Sequence, residues 1–119
     1  MPDLVKGKPG RVRQVFRWLK AAFHPPGGHK VRLRVVDEIP KAYLPCSGIT
    51  VWNDKGDVTI WVRLSTISES LDILIHEYAH VLTCGRGEDD GHGYEFYSVY
   101  GELDRKFHYH GGATESKDY

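Results

Sequence analysis

Residues 74–80 read Leu-Ile-His-Glu-Tyr-Ala-His and contain the pattern His-Glu-x-x-His, formed by His76, Glu77 and His80. On an α-helix, residues four positions apart lie on one face, so these two imidazoles can bind a single zinc ion. The glutamate between them can then reach a water molecule beside the ion. The pattern therefore predicts a helix with His76 and His80 as metal ligands and Glu77 as catalytic base. The alternative is a surface helix with two partly exposed histidines and a solvated glutamate.

The neighbouring residues predict where this helix begins and ends and which side is buried. Thr66 with Glu69 fits a capping box, which is typical of a helix N-terminus, and Gly85 is a typical stop signal. At about 100° per residue, His76 and His80 fall opposite an apolar stripe. That stripe consists of Leu71, Ile75, Tyr78 and Leu82. We therefore expect a helix between a sheet and a cleft, with the histidines facing the cleft.

A catalytic zinc ion keeps three protein ligands and one open position, so a third ligand is needed. His92 begins a second helical pattern and lies on the same side of it as Phe96 and Leu103. It is therefore predicted to point inward and to be the third ligand. Glu95, one turn later, is the main alternative, because some zinc peptidases use a carboxylate at this place.

Other polar residues downstream have weaker assignments. Asp89 and Asp90 are expected to cap the second helix, where negative charge is favourable. His108 and His110 are weaker ligand candidates, since they are distant and near a glycine-rich segment. A hydrolytic site also needs a donor for the developing oxyanion. The candidates, among which the spacing does not choose, are Tyr94, Tyr97, Tyr109 and His108.

Upstream of the motif, the hydrophobic pattern changes from helical to alternating. Apolar residues recur at steps of three and four over residues 11–23, which predicts an N-terminal helix. Alternation over residues 30–39 predicts a strand. Residues 49–52 and 58–64 flank a turn-rich loop at 53–57 and predict a hairpin. With the two later helices, these segments predict an α+β fold.

Length and composition limit the organisation and the compartment. A chain of 119 residues predicts one domain, in which residues 1–10 and 111–119 are loose tails. Cys46 and Cys84 are the only cysteines and are predicted to be free thiols. The sequence shows neither a signal-peptide pattern nor an apolar run of membrane-spanning length, so we expect a cytoplasmic protein without a membrane partner. The oligomeric state is not predicted.

The charges are unevenly distributed along the chain. Residues 1–35 carry nine Lys and Arg and one acidic residue, a net charge of +8. Residues 36–119 carry seven Lys and Arg and fifteen acidic residues, a net charge of −8. A basic third of this kind can contact an anionic partner such as DNA. Attraction between the two parts of the chain is an equally good explanation.

Two stretches together resemble a known family. The pattern at 74–80 is followed by Gly-His-Gly-Tyr-Glu-Phe at 91–96, and the pair looks like the SprT-like (Spartan-type) zinc metallopeptidases. Their catalytic domain combines His-Glu-x-x-His with a later His-Gly-x-x-Phe or His-Gly-x-x-Trp. The resemblance covers about residues 10–108. Many members carry a cysteine zinc ribbon that binds DNA, which two cysteines cannot form, so a DNA contact is expected only through the basic N-terminal third.

The resemblance implies a minimal zincin fold. That fold has an N-terminal helix, a small antiparallel sheet of about three strands, an active-site helix and a following helix that carries the third ligand. His76, His80 and His92 are then implied to bind Zn²⁺, with Glu77 as the base of a metallopeptidase. An edge strand, here 58–64, is implied to hold an extended protein or peptide substrate.

Two other functions fit the same residues. One is a DNA- or protein-binding adaptor that keeps zinc for structure only. The other is a regulatory zinc peptidase of a different family, in which a carboxylate such as Glu95 is the third ligand.

Overall fold

The computed structural model describes residues 7–83 and 92–110, so residues 1–6 and 111–119 of the predicted tails lie outside the described residues. The described elements are α1 (Pro9–Ala22), β1 (Val31–Val36), β2 (Gly48–Trp52), β3 (Val58–Arg63), α2 (Ile67–Thr83) and α3 (Tyr94–His110), with short 3-10 turns at Pro26–Gly28 and Lys41–Tyr43. The three strands form one sheet. The predicted α+β class is therefore confirmed.

The sheet is mixed, which corrects the predicted antiparallel sheet. Its order is β1-β3-β2, with β2 and β3 in the predicted antiparallel hairpin and β1 parallel to β3. Central placement of β3 buries its apolar row, Val58, Ile60 and Val62, between both neighbouring strands and the helices. Hydrophobic alternation identifies strands but does not give their spatial order, so the parallel pair was missed.

The run 58–64 is consequently not an edge strand, and that prediction is wrong. Residues 58–63 pair with β1 on one side and with β2 on the other. A strand paired on both sides offers no row of backbone groups to a peptide. Within the part of the chain that the structure describes, the edge strand that contacts α2 is β2.

The hydrophobic core lies between one face of the sheet and the helices. α2 packs against β2 and β3, α1 packs against α2 and β1, and α3 packs against the other side of α2. Tyr78 of α2 is fully buried, with its ring edge-on to Phe16 and its hydroxyl donating to the carbonyl oxygen of Phe23 at 2.6 Å. Tyr78 thus anchors α2 from the side opposite its histidines.

The N-terminal helix begins two residues earlier than its predicted start at residue 11. α1 begins at Pro9, a residue whose fixed φ suits the first turn of a helix. Gly7 donates its backbone N–H to the carbonyl of Ser65 at 2.7 Å, and a Cβ there would lie 2.8 Å from Ile67 Cα. Residues 7–10 are therefore part of the fold, and the glycine allows this close approach.

The predicted capping box of α2 is present in altered form. The Thr66 hydroxyl accepts the backbone N–H of Glu69 at 3.3 Å, as a helix N-cap does. The Glu69 carboxylate accepts from the Ser65 hydroxyl at 3.1 Å. The predicted stop at Gly85 lies outside the described residues. Within residues 7–83 and 92–110, no helix combines the length and apolar character needed to span a bilayer.

Candidate metal centre

The side of α2 opposite Tyr78 carries the two motif histidines one helical turn apart. His76 and His80 have ring centroids 5.1 Å apart, and both side chains are half-buried. Leu74, Ile75 and Tyr78 are buried against the core on the other sides of the helix. Because the back of the helix is fixed by packing, both imidazoles are held toward the same space.

His92 joins this pair from the segment that enters α3. Its Nε2 lies 3.0 Å from Nε2 of His80 and 3.2 Å from Nε2 of His76. It precedes the first residue of α3 by two positions, so the third histidine lies beside the helix and not on it. The Gly93 carbonyl accepts the Tyr97 N–H at 3.1 Å, which fixes the start of the helix immediately after His92.

The three nitrogens fit a metal ion better than they fit one another. Ligand nitrogens about 2.05 Å from a tetrahedral zinc ion are about 3.3 Å apart, close to the two measured separations. A neutral imidazole nitrogen has either one proton or one lone pair. His92 Nε2 therefore cannot satisfy both neighbours, whereas a cation accepts all three lone pairs. His76, His80 and His92 could hold a metal ion, as a group with ligand atoms within 4.8 Å of one another.

Phe96 forms the wall behind the histidines. Its ring is stacked on His80 at 4.4 Å and lies edge-on to His76 at 5.0 Å and His92 at 4.9 Å. The side chain is fully buried. A rigid apolar wall restricts rotation of the imidazoles and excludes water from one side of the cluster.

Glu77 lies beside the cluster in a confined setting. The residue is buried (7% exposed), and its Oε2 is 4.0 Å from His76 Nε2. The Thr50 hydroxyl donates to Glu77 Oε1 at 2.7 Å and lies 3.2 Å from the Glu77 carbonyl oxygen. Because the hydroxyl has one proton, the nearer carboxylate is the main acceptor. Thr50 therefore orients this carboxylate.

Burial sets the direction in which both groups titrate. Desolvation raises the pKa of Glu77, against the Thr50 hydrogen bond and the nearby His92, which lower it. Desolvation lowers the pKa of His76, and His92 lowers it further, while Asp72 opposes them. A neutral imidazole is the form that binds metal ions. The surroundings of His76 thus favour its ligand form.

Gly48 lets β2 approach α2 closely at this point. A Cβ on Gly48 would overlap the Cγ2 atom of Ile73 and would lie 3.3 Å from Glu77 Cγ. The strand therefore passes the carboxylate at a distance that only glycine permits. This approach also brings the Thr50 hydroxyl, two residues later, within reach of Glu77.

Tyr100 of α3 contacts the other side of the cluster. Its ring is edge-on to His76 at 5.5 Å, and its hydroxyl donates to Asp72 of α2 at 2.5 Å. Burial raises the pKa of Tyr100, and the hydrogen bond with Asp72 raises it further. The hydroxyl is therefore a fixed donor that joins α3 to α2 one turn before His76.

The other candidates from the sequence are not part of the histidine cluster. Glu95 is exposed and does not belong to the metal-binding group formed by the described residues. Tyr94 is 89% exposed. Tyr97 is also exposed, with its ring 6.4 Å from His92. His108 is exposed and pairs with Asp104 at 3.4 Å, one turn earlier in α3.

Five further sequence predictions lie outside the part of the chain that the structure describes. They concern Cys84, Asp89, Asp90 and the side chains of Tyr109 and His110. Cys46 is exposed and is a free thiol, as predicted.

Sequence reasoning missed Gly48, Thr50 and Tyr100. Gly48 and Thr50 lie on β2 and act on α2, which is distant in the chain, so no local sequence pattern indicates their role. Tyr100 did carry a signal, because it lies one turn after Phe96 on the side of α3 that faces α2. Its spacing from Phe96 makes it a better candidate for the oxyanion donor than Tyr94 or Tyr97.

No model of a protein family matches the sequence, and neither a curated protein nor a solved structure matches it. The cluster geometry is therefore the basis for assigning a function.

Proposed function

We propose that this protein is a zinc-dependent endopeptidase of the SprT-like type, with His76, His80 and His92 as ligands and Glu77 as general base. The observation that carries the proposal is the convergence of three imidazole nitrogens beside a buried, oriented carboxylate. The same residues match the two-part motif that resembles this family.

The donor set favours zinc in a catalytic setting. Imidazole ligands suit zinc, and three protein ligands leave one position for water or substrate. A structural zinc site has four protein ligands, and the group formed by the described residues has three. This count favours a catalytic site over the adaptor with a structural metal.

Two residues of the chain, Glu77 and Thr50, would have distinct roles in the reaction. A zinc ion, when bound, supplies a Lewis acid that makes water more acidic and polarises a carbonyl group. Glu77 accepts the proton of the attacking water and passes it to the leaving amine. Its raised pKa suits this transfer, because the carboxylate must both take and release a proton. Thr50 holds Oε1 and thereby keeps the other carboxylate oxygen, Oε2, turned toward the histidines during both steps.

The oxyanion donor is best assigned to Tyr100. Its hydroxyl is held beside the histidine cluster and has a raised pKa, which keeps it protonated. Its one proton is donated to Asp72, so Tyr100 would stabilise the developing negative charge by exchanging that hydrogen bond for one to the oxyanion. Tyr94 and Tyr97 are more exposed, at 89% and 61%.

β2 is the proposed substrate strand. Its outer edge is unpaired within the described residues, and the strand passes directly beside Glu77. An extended peptide can pair with such an edge through backbone hydrogen bonds. A protein or peptide substrate would then present a scissile carbonyl near the histidines.

The decisive experiment compares wild type, Glu77→Gln and a matched control, Glu102→Gln. Glu102 is an exposed acid of α3, so its substitution removes the same charge away from the site. Zinc content is measured by mass spectrometry, and cleavage is followed on unfolded casein and on a peptide mixture. We expect zinc at one ion per chain in all three proteins and cleavage by wild type and Glu102→Gln.

Loss of the base should lower the rate by about 10²–10⁴-fold in Glu77→Gln. Wild-type protein that binds no zinc, or Glu77→Gln that cleaves as fast as wild type, contradicts the proposal. Zinc binding without cleavage of any substrate supports the adaptor instead.

A further inference from the structure

In the part of the chain that the structure describes, no α-helix covers the face of the sheet that points away from α1 and α2. Pairing between the strands arranges the side chains of this face in three rows. From β1 through β3 to β2, the rows are Arg32–Thr59–Val51, Arg34–Trp61–Ile49 and Val36–Arg63. None of these eight side chains is buried, whereas the core residues lie on the opposite face. We call this set of eight residues the outer face.

The outer face has a cationic side and an apolar side. Arg32 and Arg34 are exposed on β1, and Arg63 is exposed on β3. β2 contributes Ile49 and Val51, which are partly exposed. The strands contain no Asp or Glu, and none of the three arginines forms an ion pair within residues 7–83 and 92–110. A partner that matches this face therefore carries acidic groups on one side and apolar groups on the other.

Trp61 lies between the two sides. The Arg34 guanidinium is over its ring, 5.6 Å from the centroid. The ring of Tyr43, from the 3-10 turn Lys41–Tyr43, lies 6.3 Å from Trp61, and both rings are partly exposed. Tryptophan, tyrosine and arginine contribute most of the binding energy at protein interfaces, in which Lys, Asp and Glu are depleted. The composition of the outer face is thus that of a protein-binding surface.

The parallel pairing of β1 with β3 is a second reason to expect a partner on this face. Parallel strands occur mostly in sheets with helices on both faces, whereas antiparallel hairpins often expose one face to water. Here α1 and α2 pack on the inner face, around the buried row of β3. A helix supplied by another protein would complete the second layer.

We propose that the outer face binds an acidic amphipathic helix of a partner protein. A helix about 10 Å across fits three strands that lie about 4.8 Å apart. Arg32 and Arg34 are two residues apart on β1, or about 6.6 Å, and acidic residues four positions apart on a helix are separated by a rise of about 6 Å. The apolar side of the helix then lies on Trp61, Ile49 and Val51. This binding does not depend on the proposed peptidase activity.

Two other occupants match the face less well. A second copy in a symmetric dimer would present the same patch, which has no acidic group to pair with the arginines. A nucleic-acid strand binds through cations and aromatic platforms, and it would leave the aliphatic side chains of Ile49 and Val51 unused. An acidic helix with an apolar side contacts both sides of the face.

The test is a titration of isotope-labelled protein, followed by NMR, with a synthetic peptide of about 18 residues, or five helical turns. The peptide carries Glu along one side and Leu along the other at helical spacing. A scrambled peptide of the same composition has no amphipathic side. Each is titrated to about 1 mM, so that weak complexes are detected. We expect the amphipathic peptide to shift the amide signals of β1 and β3 and the indole N–H of Trp61.

Three proteins are compared: wild type, a triple variant of the face and a control with the same charge change. The face variant carries Arg32→Gln, Arg34→Gln and Arg63→Gln. The control carries Arg13→Gln, Arg17→Gln and Arg105→Gln, which replace exposed arginines of α1 and α3. The face variant should bind the amphipathic peptide about tenfold more weakly, because three exposed ion pairs are lost, and the control should bind like wild type.

The apolar side is tested by the double substitution Ile49→Thr with Val51→Thr. It should weaken peptide binding about tenfold through lost apolar contact. Raising the salt concentration should still weaken binding by this variant, as in wild type, but should have little effect on the triple arginine variant. Thermal unfolding checks the fold, and the arginine variants decide the matter if the double variant is unstable.

Several outcomes would overturn the proposal. They are no binding of the amphipathic peptide at about 1 mM, equal binding of the scrambled peptide, and equal weakening by the face and control variants. Tighter binding of oligothymidylate than of the peptide to the outer face would assign the face to nucleic acid. A dimer in sedimentation that the face variant abolishes, without peptide binding, would assign it to a second copy. Glu77→Gln should bind the peptide like wild type, so failure of the peptidase proposal leaves this result independent.

Discussion

The two sides of α2 are held in different ways. The back is fixed by many apolar contacts, with Leu71, Leu74, Ile75 and Tyr78 all buried against the sheet, α1 or their neighbours. The front combines one apolar wall, Phe96, with a few polar contacts: the three histidine nitrogens and the bond from Thr50 to Glu77. Apolar burial is non-directional, whereas ligand geometry and hydrogen bonds tolerate little displacement.

This difference implies that stability and metal chemistry can be altered separately on one helix. Substitutions on the back should change the free energy of unfolding and leave the metal site intact. Substitutions on the front should change metal binding or cleavage with small effects on folding of the metal-free protein.

The largest effect is expected for His92→Ala. Removing one of three ligands should weaken zinc binding by more than the roughly 100-fold that loss of a ligand's hydrogen-bonding partner costs. Zinc affinity is measured by competition with a chromophoric chelator. Glu95→Ala is the matched control, because this carboxylate is close in sequence and outside the cluster. If Glu95→Ala, and not His92→Ala, abolishes binding, the third ligand is a carboxylate.

Leu74→Ala should lower the stability of the fold without changing zinc binding, because Leu74 lies on the back of α2. Leu74 is fully buried in the core, so its truncation should lower the free energy of unfolding by about 2–5 kcal/mol. Denaturant unfolding of the metal-free protein measures this loss. Zinc stoichiometry at low temperature should stay at one ion per chain. A folded Leu74→Ala protein that no longer binds zinc would show that the two sides are coupled.

The features that could be predicted from the sequence are those that depend on residues close together in the chain. α2, its capping threonine and the shared face of His76 and His80 follow from local spacing, because helical periodicity fixes which residues share a face. His92 was predicted from its place at the start of the second helical pattern, and it reaches the pair from the segment before α3. The hairpin followed from the turn residues between β2 and β3. Local patterns thus identified the elements and the candidate ligands, while the packing of α3 on α2 brings the third ligand to the first two.

Long-range arrangement could not be predicted in the same way. The parallel pairing of β1 with β3 depends on the path of residues 37–47 between β1 and β2. Hydrophobic alternation does not indicate which strands are neighbours in the sheet. The bond from Thr50 to Glu77 joins residues 27 positions apart and depends on Gly48 admitting β2 beside α2. The edge strand was therefore placed on 58–64 in the sequence and is β2 in the structure.

Thr50→Val tests whether this long-range contact matters to the proposed reaction. Valine keeps the shape but cannot donate to Glu77, so the carboxylate loses its orientation. We expect kcat to fall about 10- to 100-fold, the usual effect of losing such a partner, with zinc content unchanged. Thr50→Ser keeps the hydroxyl and should restore most of the rate. Equal rates in Thr50→Val and wild type would remove Thr50 from the proposed mechanism.

The smallest effect is expected for Tyr78→Phe, which removes one polar contact from the back of α2. Its hydroxyl donates to the Phe23 carbonyl at 2.6 Å and thereby joins the end of α1 to the centre of α2. Losing this bond should lower the free energy of unfolding by about 1 kcal/mol, because the ring and its apolar burial remain. Tyr97→Phe is the matched control, since that hydroxyl is on an exposed side chain and its loss should change little. Both variants should bind zinc like wild type. Weaker zinc binding in Tyr78→Phe alone would mean that a buried hydrogen bond behind the helix helps to position His76 and His80, so that back and front are not independent.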